Sequence, residues 1–114
     1  MDSKEELDNI RKNSTCLADR VLNYYQFACK KENIPQNKGV IEVYKNMRVD
    51  GILGDGRDPR GMAAAMFYVT AWKHKNKDGY MGLTQKYCAE VLGIGVQNIR
   101  KQFLAFRQNQ AKTL

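Results

Sequence analysis

TQKYCAEVLGIGVQNIRKQFLAF, Thr84 to Phe106, is the stretch of this chain whose reading decides the fold, because its small, glycine and apolar positions have the spacing of a helix-turn-helix. Ala89 sits where two helices must approach closely. Gly93 follows where the backbone leaves the first helix, and a left-handed conformation there suits glycine above all other residues. Cys88, Leu92, Ile94, Ile99 and Phe103 supply apolar contacts that lock the two helices together. The same spacing leaves Val96, Gln97, Arg100 and Lys101 pointing away from them, on the face that a major groove would meet.

The rest of the composition is compatible with that reading. A chain of 114 residues with 43% hydrophobic content suits one domain, residues 1–114, around a single core. Residues 1–13 are expected to be a flexible or helical N-terminal extension, and residues 107–114 a frayed tail. The net charge of +7 favours a polyanionic partner, since Lys and Arg gain affinity by releasing counterions condensed on phosphates. A basic surface that serves solubility alone is the competing explanation. The three cysteines, Cys16, Cys29 and Cys88, are odd in number and widely spaced. With no C-x-x-C and a single histidine, His74, they indicate neither a disulfide framework nor a zinc site. Each lies on or beside an apolar helical stripe, where a free thiol acts as a small hydrophobe in a reducing compartment. The opening MDSKEELDNIRKN is charged throughout, and no apolar run approaches the ~20 residues that span a bilayer. The expected location is intracellular: cytoplasmic or nucleoid-associated, or nuclear in a eukaryote.

Helical periodicity runs through nearly every segment, so the expected class is all-α. From Ser3 to Asn33, the residues Leu7, Ile10, Leu17, Val21, Tyr24, Tyr25 and Ala28 line one face, with a break foreseen near Asn13, Ser14 and Thr15. Pro35 ends that helix. A second helix, Gln36 to Asp50, buries Val40, Ile41, Tyr44 and Met47. The glycines of Gly51 to Gly61 read as a turn-rich connection. Asp58 as N-cap and Pro59 at the first helical position then open a third helix running to His74. Between Met62 and Trp72 it has almost no polar face, which places it at the centre. Ala63, Ala64 and Ala65 let its neighbours pack closely. KHKNKDGYMGL, Lys73 to Leu83, reads as a loop, and Thr84 caps the fourth helix.

Several constellations look chemical without supporting chemistry. Asp50, Asp55 and Asp58 lack the spacing and terminal Glu of a calcium loop. The glycines around Asp55 lie between two helices rather than after a strand, unlike a phosphate-cradling loop. His74 is a solvated helix-end residue, and no Ser/His/Asp or Cys/His relay stands beside it. Trp72 is a core anchor or a half-exposed packing residue. No enzyme, cofactor or metal is expected.

With these segments in order, GDGRDPRGMAAAMFYVTAW followed by TQKYCAEVLGIGVQNIRKQFLAF resembles the cyclin-like repeat of transcription factor IIB and its archaeal counterpart, transcription factor B, and is closest to the second repeat. Gly56, Arg57, Pro59, Gly61, Ala63 to Ala65, Tyr68, Thr84, Gln85, Ala89, Val91, Gly93, Ile99 and Arg100 fit the pattern, over about Val40 to Phe106. The resemblance implies a five-helix cyclin-like fold with a central buried helix and a C-terminal helix-turn-helix. It also implies a role in transcription initiation, reading double-stranded promoter DNA beside the TATA-binding protein, with RNA polymerase as a further partner.

By that resemblance Gln97 and Arg100 reach base edges, where Arg100 can make a bidentate contact to guanine and Gln97 to adenine. Lys73, Lys75, Lys77, Thr84, Gln85, Asn98 and Lys101 are the expected backbone or neighbouring contacts. The three lysines at 73, 75 and 77 are placed on the loop before the motif. The family usually has valine where this chain has Gln97 and threonine where it has Gly95, so the preferred DNA sequence is expected to be shifted. The family's zinc ribbon has no counterpart here, and one repeat is present instead of two. The chain therefore reads as an excised repeat or a small stand-alone relative. Two functions follow: a DNA-binding module, or a cyclin-fold module that binds TATA-binding protein or polymerase without reading DNA. A helix pair that merely completes the fold is the plainest reading of the motif.

Overall fold

The structure, a computed structural model, describes residues 3–14, 16–49, 59–76 and 83–113. Every element in it is a helix: α1 (Ser3–Asn13), α2 (Leu17–Lys31), α3 (Lys38–Val49), α4 (Pro59–Asn76), α5 (Gln85–Val91) and α6 (Val96–Thr113). Six helices stand among the described residues where five were expected, because the foreseen break divides the first into α1 and α2. The cause is local. The Ser14 hydroxyl donates to the Ile10 carbonyl at 2.5 Å and accepts from Asn23 Nδ2 at 3.2 Å. A serine that satisfies the last turn with its side chain competes with continuation of the ladder. Cys16 is then extended, and α2 starts afresh behind it.

α2 ends before Pro35 acts. Asn33 takes a left-handed φ of 56°. Its N–H bonds the Lys30 carbonyl at 3.2 Å, and the Ile34 N–H bonds the Cys29 carbonyl at 2.9 Å. This pair of bonds is the Schellman closure. Asn37 starts α3 by accepting from the Val40 N–H through Oδ1 at 3.1 Å. α4 begins at Pro59, as expected. Asp58, the calcium-like aspartates and most of the glycine-rich connection lie outside the described residues, as do residues 77–82 of the next loop.

α4 packs against α2, α3, α5 and α6, which is the central position its apolar sequence requires. Met62 through Phe67 are completely buried, and Thr70 and Ala71 nearly so. The one polar side chain in that run, Thr70, is satisfied by a hydrogen bond of 2.8 Å with the Tyr25 hydroxyl, which also accepts from the Asn37 N–H at 2.9 Å. A single phenol thus joins α2, α4 and the link into α3. A buried hydroxyl left without partners would cost about 1–3 kcal/mol. At the other end of α4 lies Gly61. A Cβ there would come within 3.1 Å of the Asn98 carbonyl oxygen and of Gln102 Cγ. Glycine is what lets the α4 backbone rest on the first turns of α6.

α5 and α6 are joined by the short turn through residues 92–95 and pack on each other. Thr84 caps α5 by accepting from the Tyr87 N–H at 3.0 Å. Gly93 has φ +72°, with its N–H on the Glu90 carbonyl and the Ile94 N–H on the Ala89 carbonyl, both at 3.0 Å. This second Schellman closure is the turn foreseen from the sequence. Gly93→Val sets a β-branched residue in a region such residues rarely enter, and is expected to destabilise the fold by about 1–3 kcal/mol. Urea denaturation would measure it. A variant as stable as the parent would mean that the turn relaxes to negative φ at no cost.

Candidate nucleic-acid interface

α6 has two sides with different tasks. Ile99, Gln102, Phe106 and Asn109, spaced three and four apart, are buried against the body of the protein. Asn109 is tied down by its Nδ2, which donates to the Ala105 carbonyl at 3.0 Å. Residues 107–113 lie in the last two turns of α6. The opposite side exposes Gln97, Asn98, Arg100, Lys101, Leu104 and Arg107. Val96, expected to point outward, is half-buried against the core, because the short turn from Gly93 draws the first residue of α6 inward.

The Gln97 amide lies back over Gly95. A Cβ at residue 95 would come within 2.6 Å of Gln97 Oε1. Gly95 and Gln97 are thus one spatial feature. The small residue makes room for the long one, and a side chain at 95 would push the amide elsewhere. Arg100 and Lys101, one turn further on, complete a polar stripe with Gln97. Leu104 follows, 63% exposed, where an apolar side chain could meet a thymine methyl or a protein surface.

The expected backbone-contacting residues are divided by the structure. Thr84 and Gln85 stand at the start of α5, and Thr84 spends its side-chain oxygen on the cap. α4 continues two residues past His74, so Lys73 and Lys75 belong to the end of that helix and not to a loop; Lys77 lies outside the described residues. This corrects the position of the lysines relative to the motif. α4 and α6 run side by side in the same sense: Gly61 meets Asn98, and Tyr68 meets Phe103 edge to face at 5.2 Å between centroids. Lys73 consequently lines the same cleft as Arg107. That is two to three turns along α6 from Gln97 and Arg100.

Lys73 and Arg107 wall a cleft of about 330 Å³ between α4 and α6, with Tyr68, Trp72 and Phe103. Arg107 lies over the Phe103 ring at 5.8 Å, and Trp72 is 49% exposed. Sequence reasoning missed this cleft, since its walls come from segments some 35 residues apart with no shared periodicity. Among the described residues no cluster of three or more His, Cys, Asp or Glu side chains is arranged to hold a metal. None of the described helices is long and apolar enough to cross a membrane.

Comparison of the chain with family models, with curated proteins and with solved structures finds no match.

Proposed function

We propose that this chain is a DNA-binding module of a transcription initiation factor similar to transcription factor IIB and transcription factor B, reading duplex promoter DNA in the major groove through α5 and α6. The observation that carries the reading is the separation of α6 into a buried stripe and an exposed stripe of Gln97, Arg100 and Lys101. The exposed stripe begins at the N-terminal turn of the second helix, where recognition helices present side chains to bases. On this reading α2 to α6 are the five helices of a cyclin-like repeat, with α4 at its centre and α1 as an N-terminal extension. Lys101 on α6, and Lys73 and Arg107 at the cleft between α4 and α6, are the cations that would meet phosphates. The module acts inside the cell, in cytoplasm, nucleoid or nucleus, with TATA-binding protein and RNA polymerase as neighbours. It has no catalytic step and no cofactor.

The test is to select from a randomised duplex pool and sequence the bound fraction. Arg100→Ala and Gln97→Ala should each lose about 1–3 kcal/mol on the selected site, relax base preference at one position, and leave binding to random DNA nearly unchanged. Lys73→Ala should instead weaken all duplexes alike and reduce the slope of log affinity against log salt by about one. An unenriched pool together with an Arg100→Ala variant that binds like the parent would overturn the sequence-reading role.

A specific feature favours the second reading, a protein-interaction module. The aromatic cleft beside the half-exposed Trp72, with Leu104 exposed nearby, offers apolar surface framed by two cations. If the pool stays unenriched and Trp72→Ala abolishes binding to TATA-binding protein or polymerase, this reading replaces the first.

A further inference from the structure

A second cleft, of about 220 Å³, opens where α1, α2 and the start of α4 meet, and Arg11, Arg20 and Arg60 all line it. We propose that these three arginines form a phosphate-binding site. Three helices contribute one arginine each, and Asp8 is the one carboxylate-bearing residue among the described lining residues. With three arginines against one carboxylate, the described lining is net positive, which favours an anion. The volume is smaller than the ~300–1,000 Å³ of clefts that take drug-sized molecules, so it fits one compact group. Guanidinium forks match phosphate oxygens two at a time.

Arg20 adds a separate observation. Its Nε is buried and has no hydrogen-bond acceptor. Buried donors are nearly always paired, and an orphan calls for an explanation. An oxyanion received by Nε and one Nη as a fork would satisfy the donor. The cleft is also joined to the helix-turn-helix. Arg60 Nη1 donates to the Gly93 carbonyl at 3.4 Å, and Leu7, on the wall of the cleft, comes within 3.9 Å of where a Gly93 Cβ would stand. Gly61, the next residue of α4, touches Asn98 at the start of α6. A phosphate held here would therefore sit at the N-terminal end of α6, and Lys73 with Arg107 would hold the backbone at the other end. That the phosphate belongs to DNA rests on the function proposed above; the oxyanion chemistry does not.

The experiment has two arms on the full chain. In the first, inorganic phosphate is titrated while the arginine Nε–H resonances are followed by NMR, with sulfate and chloride for comparison. The Arg20 resonance should shift saturably with phosphate, and Arg20→Gln and Arg11→Gln should remove the saturable response while the helical circular dichroism is retained. In the second arm, duplex affinity is measured against salt. Arg20→Gln should reduce the slope by about one and leave base preference intact. Arg20→Lys, which keeps the charge but loses the fork, should restore the slope but not the phosphate response. A phosphate response with an unaltered duplex slope makes free phosphate or a phosphorylated metabolite the source and upholds the site. Should the parent bind no duplex at all, the DNA reading fails while the first arm still decides the site. Arg11, Arg20 and Arg60 resonances that stay fixed in phosphate, in a chain whose duplex slope ignores Arg20→Gln, would overturn the proposal.

Discussion

Phe106→Ala is expected to lower the stability of the fold by about 3–5 kcal/mol, a large part of what holds a domain of this size together. Phe106 is completely buried on the inner side of α6, with Ile99 two turns before it and Asn109 one turn after it. Truncation removes the ring's contacts and leaves a cavity that rigid helices on two sides close only in part. Its neighbour two residues earlier is the natural control. Leu104 is 63% exposed, so Leu104→Ala should stay within about 0.5 kcal/mol of the parent. Guanidinium denaturation of both variants measures the contrast. If the Phe106 variant loses less than about 1 kcal/mol, the C-terminal half of α6 is not docked as described.

The other large effect is alkaline. Burial pushes the Cys88 thiol up to about 12, with the Glu32 charge adding to it, and pushes the Cys29 thiol up to about 11. Burial likewise pushes the Tyr25 hydroxyl up to about 12, outweighing the Asn37 and Thr70 hydrogen bonds that favour its ionised form. In the unfolded chain these groups ionise at their ordinary values, 9.0 for the thiols and 10.0 for the phenol. As pH rises past 9.0, the unfolded state therefore releases protons that the folded state retains, and unfolding is favoured. The stability contributed by all three groups is full below about pH 9 and is lost progressively up to their folded values near 11 and 12. Each tenfold difference in proton affinity is worth about 1.4 kcal/mol, so the combined loss is several kcal/mol. Urea midpoints taken from neutral to strongly alkaline pH should fall steeply, and Cys88→Ala should make the fall shallower. A midpoint that does not move above pH 9 would contradict the burial of these groups.

The parts of the fold that were legible in the sequence are those written by neighbours along the chain. The apolar run from Met62 to Trp72 announced a central helix because no side of it had polar residues to offer water. Thr84 and Gly93 announced their cap and turn because few residue types satisfy those backbone positions. Where side chains choose among local partners, the sequence was less direct. Ser14 could have faced solvent in a continuous helix, yet it took the Ile10 carbonyl and divided the helix. Asn33, not Pro35, closed α2.

The candidate site was legible in part for the same reason. Gln97, Arg100 and Lys101 share a face fixed by helical geometry alone, and they are exposed together as expected. Lys73 was placed on a loop because KHKNK lacks apolar residues, whereas α4 needed only its backbone ladder to carry on to Asn76. Asn109 reads as a polar tail residue until its amide is seen bonded to Ala105. Arg11, Arg20 and Arg60 span three helices, and no periodicity within one helix can bring them together.

The rest of α4 on α6 at Gly61 has a consequence for how the molecule can change. A Cβ at Gly61 would press on the Asn98 carbonyl, so the seat of α6 depends on one missing side chain, on the buried row Ile99, Gln102, Phe106 and Asn109, and on Val96, Phe103 and Ala105 packed beside it. The exposed side chains of Gln97, Arg100, Lys101 and Leu104 lie outside that packed set. One scaffold can therefore be re-addressed: Gln97, Arg100, Lys101 and Leu104 are exchangeable as a set while the support beneath them is inherited intact, which makes this helix a point of departure for selecting new specificities without redesigning a core.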